Sequence, residues 1–258
     1  GALLDASFAG DLALGGSMSG ELSASSDDLR GLLTTAGVEL SPGDTLRRFS
    51  LSAKPTGTLN TLSLADLDLS LDDITATGSG GVDLSGGRPK LTAALSMPRL
   101  DASPFLGGGE DPQPDQNSNG GWSKAALDLA ALKALDASLD LNVGTLILGD
   151  LTLTDADLTV TLTDGDLNAN LAQVTAFGGL WKGLVGLNAS GTTPALDVDL
   201  NGSSVMMSDM LSTFAGLDSI DGLGQLSVKA TSTGESLDAL ANGLNGSASA
   251  NLADGAIK

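Results

Sequence analysis

A strict two-residue alternation of aliphatic and polar side chains fills most of this chain, and it constrains the fold more than any other feature. Leu67, Leu69 and Leu71 alternate with Asp66, Asp68, Ser70 and Asp72, which is the period of a strand with one apolar face. The same period recurs at Leu12, Leu14; Leu139, Leu141, Val143; Leu146, Leu148; Leu151, Leu153; Leu158, Val160, Leu162; Leu167, Ala169, Leu171; and Leu196, Val198, Leu200. Between segments the parity changes, as from Leu62 and Leu64 to Leu67. Each change requires a turn or a bulge, because the pleat cannot otherwise keep one face apolar. Turn chemistry is expected at Gly78 to Gly81, Ser85-Gly86-Gly87, Gly149-Asp150, Asp164-Gly165 and Asn201-Gly202.

Short helices interrupt the strands. Ser25-Ser26-Asp27-Asp28 precedes Leu29, Leu32 and Leu33 and is followed by Gly37, an N-cap, an acidic first turn and a stop over residues 26–36. Ser208-Asp209 before Met210, Leu211 and Phe214, with Gly216 as the stop, predicts a helix over 209–215, and Glu235-Ser236 before Leu237, Leu240 and Leu244 predicts one over 236–243. Leu127 to Leu135 reads as a turn of helix before a strand. All are too short to stand alone and must pack on a sheet. Residues 107–121 hold no aliphatic side chain and read as a flexible Gly/Pro/Asn-rich linker or loop between an N-terminal strand segment, 1–106, and a C-terminal one, 122–258. A sheet extending across both segments would make one long structure.

Charge and composition exclude whole classes of function. Twelve Lys and Arg stand against 32 Asp and Glu, a net charge of −20, and the scattered cations offer no nucleic-acid footprint. His, Cys and Tyr are absent, which removes the usual near-neutral acid–base group, the thiol nucleophile and the best transition-metal ligands. No G-x-S-x-G elbow, S-x-x-K motif or phosphate loop occurs, so no catalytic residue and no cofactor is expected and the chain is not read as an enzyme. Asp155-x-Asp157, Asp164-Gly165-Asp166 and Asp72-Asp73 offer hard oxygens for calcium, but the ligand count at each is low and a solvated strand face is the simpler reading; no metal is expected. No run approaches the roughly 18 apolar residues of a membrane span. Gly1 is not a start methionine and no signal pattern follows, so the chain is expected to be a fragment or a processed product with any anchor outside it.

Many amphipathic strands with few helices leave a Leu-rich face to be covered. Either the sheet folds over itself as a closed sandwich, a structural or adhesive protein with possible surface calcium, or it curls into an elongated groove whose floor takes a hydrophobic ligand. Burying a methylene gains about 0.8 kcal/mol, so a sixteen-carbon chain on such a floor is worth on the order of 12 kcal/mol. Exposed strand edges also allow a scaffold in outer-membrane assembly.

A family resemblance favours the groove. Trp122-Ser123 leading into Leu127-Asp128-Leu129, then Leu132-Lys133-Ala134-Leu135-Asp136, Asp164-Gly165-Asp166-Leu167, Ala176-Phe177-Gly178-Gly179, Gly222-Leu223-Gly224, Gly234-Glu235-Ser236, Leu244-Asn245-Gly246 and Ala253-Asp254-Gly255-Ala256-Ile257 together resemble the C-terminal part of the AsmA family of bacterial envelope proteins. Ser26 to Leu33 and Ala65-Asp66-Leu67 extend the resemblance into the N-terminal half. It implies a mainly β fold: an antiparallel, strongly curved sheet forming a hydrophobic groove capped or plugged by short helices. It also implies a periplasmic location, an inner-membrane anchor through an N-terminal helix absent from this chain, and phospholipid acyl chains as ligand on the way between inner and outer membranes. Outer-membrane or envelope proteins are the other partners it allows. Within that reading the expected lining residues are Leu67, Leu69, Leu71, Leu139, Leu141, Val143, Leu146, Leu148, Leu151, Leu153, Leu158, Val160 and Leu162, with the inward parity left open.

Overall fold

The computed structural model describes residues 4–13, 16–35, 46–103, 124, 126–127, 129–216 and 220–257. In chain order the elements are β1 (Asp5–Leu12), β2 (Ser17–Ser26), α1 (Leu29–Thr35), β3 (Phe49–Thr58), β4 (Thr61–Leu71), β5 (Ile74–Asp83) and β6 (Lys90–Asp101), then α2 (Ala130–Ala134), β7 (Asp136–Leu148), β8 (Leu151–Thr163), β9 (Asp166–Ala176), β10 (Gly179–Asn188), β11 (Ala195–Met206), α3 (Met207–Ala215), β12 (Ile220–Thr233), α4 (Leu237–Asn242) and β13 (Asn245–Ile257). The protein is thus mainly β, and among the described residues thirteen strands form one open sheet in sequence order. Neighbours are antiparallel except β6 and β7, which run parallel. Strands 4.8 Å apart give such a sheet a width of about 58 Å.

The alternation that dictates strands is conserved across them by register. Glycine and asparagine at positions that read as turns are accommodated inside strands instead: Gly78 to Gly81 lies within β5 and Asn201-Gly202 within β11. Neither glycine ends its strand, because each serves close packing. A Cβ on Gly78, at φ 155°, would run into the Ala94 carbonyl, and one on Gly202 would come within 3.1 Å of the Trp181 ring. The expected turns at Gly149-Asp150 and Asp164-Gly165 are present as two-residue hairpins, and Ser85-Gly86-Gly87 lies in the β5–β6 loop.

Parity changes occur at bulges within strands. On β4, Leu62 and Leu64 give way to Leu67 across a register shift at which Asp66 holds φ 48°, and on β11 Leu200 gives way to Val205 with Ser204 at φ 55°. Bulges bend a strand and sharpen its twist. They recur on β3–β4, β8–β9, β9–β10, β11–β12 and β12–β13.

Two helices start on a side-chain cap. Asp28 Oδ1 accepts from the Gly31 N–H at 2.9 Å, so α1 starts at Leu29 rather than at residue 26: Ser26 still belongs to β2, and Asp28 is the cap instead of an acid of the first turn, which holds none. Ser236 Oγ accepts from the Ala239 N–H at 3.1 Å, starting α4. α3 differs from expectation: it begins at Met207 with no side-chain cap, directly after β11, and ends at Gly216 in the left-handed conformation. The Gly37 stop and the 107–121 segment lie outside the described residues. One rim of the sheet carries α1 and α3, where β2 and β11 end, and the other carries α2 and α4. At the parallel join, Arg88 donates to Asp164 at 2.6 Å and to Asp136 at 3.3 Å, while the Asp136 N–H donates to the Pro89 carbonyl. This clasp ties the β5–β6 loop to the start of β7 and the end of β8. The Asp164 and Asp136 carboxylates raise the Arg88 guanidinium's pKa further.

Candidate functional site: a registered aliphatic face

Strand register aligns side chains into rows that run across the strands, and the rows alternate in chemistry. One row passes through all thirteen strands as Asp11, Ser19, Thr56, Ser63, Gly81, Thr92, Ser138, Thr161, Asn168, Gly186, Asp197, Thr231 and Asn245. It carries no apolar side chain. One residue along, toward the α2 and α4 rim, the row on the other face is Leu12, Met18, Gly57, Leu62, Val82, Leu91, Ala137, Leu162, Leu167, Leu187, Leu196 and Ser232. Two further rows share that face. The first includes Leu64, Gly80, Ala93, Leu139, Val160, Ala169, Val185, Val198 and Ala230, and the second Leu67, Gly78, Leu95, Leu141, Leu158, Leu171, Gly183, Leu200 and Val228. The face is aliphatic because alternation selects it strand by strand and register lines the strands up.

Every residue expected to line a site falls on the strands that build this face. Leu67, Val143, Leu146, Leu153 and Leu162 are buried, and Leu69, Leu71, Leu139, Leu141, Leu148, Leu151, Leu158 and Val160 are half-buried. Leu141, Val143, Leu146, Leu148, Leu151, Leu153 and Leu158 pack in one cluster, although Leu141 and Leu146 differ in parity, because β7 and β8 both change phase near Gly144 and Asp155. Leu139 and Val160 are cross-strand partners in the central row, and Leu162 faces Leu167 in the next. Sequence reading missed the small residues at the centre of the cluster, Ala76, Ala156 and Ala176, together with Met97 and Val174. Their signal is weak, since alanine on a strand marks burial only once its partner is known: Ala156 pairs with Val143.

Few polar groups enter this face. Ser232, which ends the outer aliphatic row, is buried and donates to the Leu240 carbonyl at 2.6 Å, so its hydroxyl is satisfied. Trp181 packs against the cluster with its indole N–H donating to the Ala176 carbonyl at 3.1 Å. The acidic groups take structural roles. Burial pushes the Asp72 carboxyl up, but N–H donation from Arg48, Arg47 and Leu46 outweighs it and holds the group below its ordinary range. Hydrogen bonds from Ser85 and Ser103 likewise depress Asp83 and Asp101. Asp157 accepts from Asn142, and Asp164 pairs with Arg88. No three of the described Asp and Glu converge on a point that could hold a metal.

Two open hollows of about 460 and 510 Å³ mark the sheet. The first lies over Gly186 on the polar row, among Asn168, Asp197, Thr231 and Asn245; the second mixes Asp140, Asn142 and Asp157 with Leu95, Leu141 and Leu158. Neither is an aliphatic chamber, and the feature with chemical continuity is the extended face itself. Among the described residues no helix is long and apolar enough to cross a membrane.

These observations define a class: an open, single-sheet β-protein with one face lined by aliphatic rows and short helices at its rims. The chain belongs to the AsmA family, whose sequence model matches residues 16–258. Membership supports a role in the bacterial envelope. No curated protein and no solved structure matches the chain.

Proposed function

We propose that this protein binds phospholipid acyl chains along its aliphatic face and shields them from water as lipid passes between the inner and outer membranes. The single observation that carries the reading is the continuity of the aliphatic rows across the strands, from Leu62 on β4 to Leu196 on β11. A face continuous in that direction lets a hydrocarbon chain slide from strand to strand without meeting a polar side chain. Each buried methylene contributes about 0.8 kcal/mol, so tails are held without directional bonds and remain free to move lengthwise. In this reading the protein works in the periplasm, tethered to the inner membrane by a helix outside these 258 residues, and needs neither cofactor nor catalytic group. The acidic exterior, at −20 overall, keeps the sheet off anionic headgroups between the membranes. Envelope proteins at either membrane would be its partners.

The reading is tested by site-specific photo-crosslinking in cells. A benzophenone side chain at Leu158, on the aliphatic face, should capture phospholipid, while the same group at Thr159, its neighbour on the opposite face, should not. Equal capture at both positions, or none at either, would overturn the proposal.

A further inference from the structure

We propose that α3 is a displaceable stand-in for an acyl chain, covering a further acyl-binding segment of the sheet formed by Val205, Gly224 and Leu226; this rests on the acyl-chain reading above. α3 continues from β11 without a linker and folds back over β11 and β12. Beneath it Val205 and Leu226 are buried together with the helix's own Met207, and Met210 and Leu211 pack on them. Phe177 and Trp181 touch both this cluster and the main one. The ground under α3 is therefore an extension of the aliphatic face, occupied by the protein's own side chains.

The manner of occupation is what makes displacement possible. Gly224 leaves a hollow that the Met207 thioether fills, since a Cβ there would come within 2.9 Å of its sulfur. Three of the chain's five methionines, Met206, Met207 and Met210, gather at this junction, and the unbranched thioether is the protein side chain closest in shape and flexibility to a run of methylenes. α4 provides the contrast. Directional bonds pin it to its neighbours: Ser232 Oγ donates to the Leu240 carbonyl, and the Leu127 N–H donates to the carbonyl of Glu235, just before the helix, at 2.9 Å. α3 has no side-chain N-cap, and the side-chain hydrogen bonds of Ser208 and Thr213 stay within the helix, on Asp209. Among the described residues its hold on the sheet is apolar contact, which an acyl chain can replace in kind. A ligand that makes the contacts α3 makes shifts the population toward the lifted helix.

The test uses the full 258-residue chain and palmitic acid. Palmitate bound to the protein is counted by native mass spectrometry, and amide exchange over 207–215 and 237–242 is followed with and without it. Loading should speed exchange in α3 several-fold and leave α4 unchanged. Unchanged or slowed α3 exchange in protein that carries palmitate would overturn the lid and leave acyl binding intact, whereas a protein that takes up no palmitate overturns both. As an independent arm, Met210→Ser/Leu211→Ser should bind palmitate roughly tenfold more tightly, the gain expected when a lid open about a tenth of the time is freed. Wild-type affinity in a folded double variant counts against the lid.

Discussion

Gly144 and Asp155 face each other across β7 and β8, outside the ladder pairs Val143–Ala156 and Thr145–Thr154 that flank them. Asp155 holds φ 50°, and a Cβ on Gly144 would come within 2.7 Å of the Pro98 carbonyl. At this pair both strands change phase together, so Leu146 and Leu153 join Val143 and Ala156 on one face with the pairing unshifted.

That geometry sets the first prediction. A left-handed conformation costs an L-residue roughly 1–2 kcal/mol, less for aspartate and more for a β-branched side chain. Asp155→Gly should therefore raise stability by up to about 1 kcal/mol in urea unfolding, and Asp155→Val should lower it by about 1–3 kcal/mol. Equal midpoints for the two variants would show that the backbone there is not constrained.

Asp72 sets a second, pH-dependent prediction. Its carboxylate gathers three backbone N–H groups at the β4–β5 turn, with Leu46 donating at 2.6 Å and Arg48 at 2.8 Å. The folded pKa is lowered, so the unfolded chain binds the proton more readily and stability rises with pH across the window between the two values. The contribution is complete above the unfolded carboxylate value near 4 and is lost as pH falls through the folded one. Because solvent screens this partly exposed group, Asp72→Asn should cost only about 1 kcal/mol at pH 7, and progressively less in acid below pH 4. Urea titrations of both proteins at pH 7 and pH 3 measure the difference.

Trp181 offers an optical reading of the aliphatic face. Its ring lies against Gly202, where an added Cβ would come within 3.1 Å of the indole and within 2.9 Å of Val205 Cγ2. Gly202→Val should push the indole toward solvent, shifting emission to longer wavelength and costing about 1–3 kcal/mol through overpacking. The measurement needs Trp122→Phe as background, since the chain has two tryptophans. In that background brominated phosphatidylcholine should quench Trp181; an emission unaffected by brominated lipid would separate this indole from any acyl path.

Much of the architecture was legible because alternation is a local property. The strands around Leu67–Leu71 and Leu139–Leu162, the Ser236 cap and the Gly216 stop each follow from residues within a few positions. Two glycine-rich sites misled for the same reason: Gly78 and Gly202 carry turn composition, yet their need for glycine comes from Ala94 and Trp181, far away in sequence.

The sequence by itself determined that strands would form, that each would own one aliphatic edge, and that no histidine, cysteine or tyrosine chemistry was open to the chain. Tertiary structure alone decided how those edges line up. Register places Leu139 against Val160 and Val160 against Ala169, the bulges at Asp66, Asp155 and Ser204 keep later residues on the same face, and the parallel β6–β7 pair carries the rows from one half of the chain into the other. The physical reason is that a pleat fixes side-chain direction only along its own strand, whereas continuity across strands depends on hydrogen-bonded pairing between residues that sequence distance does not relate.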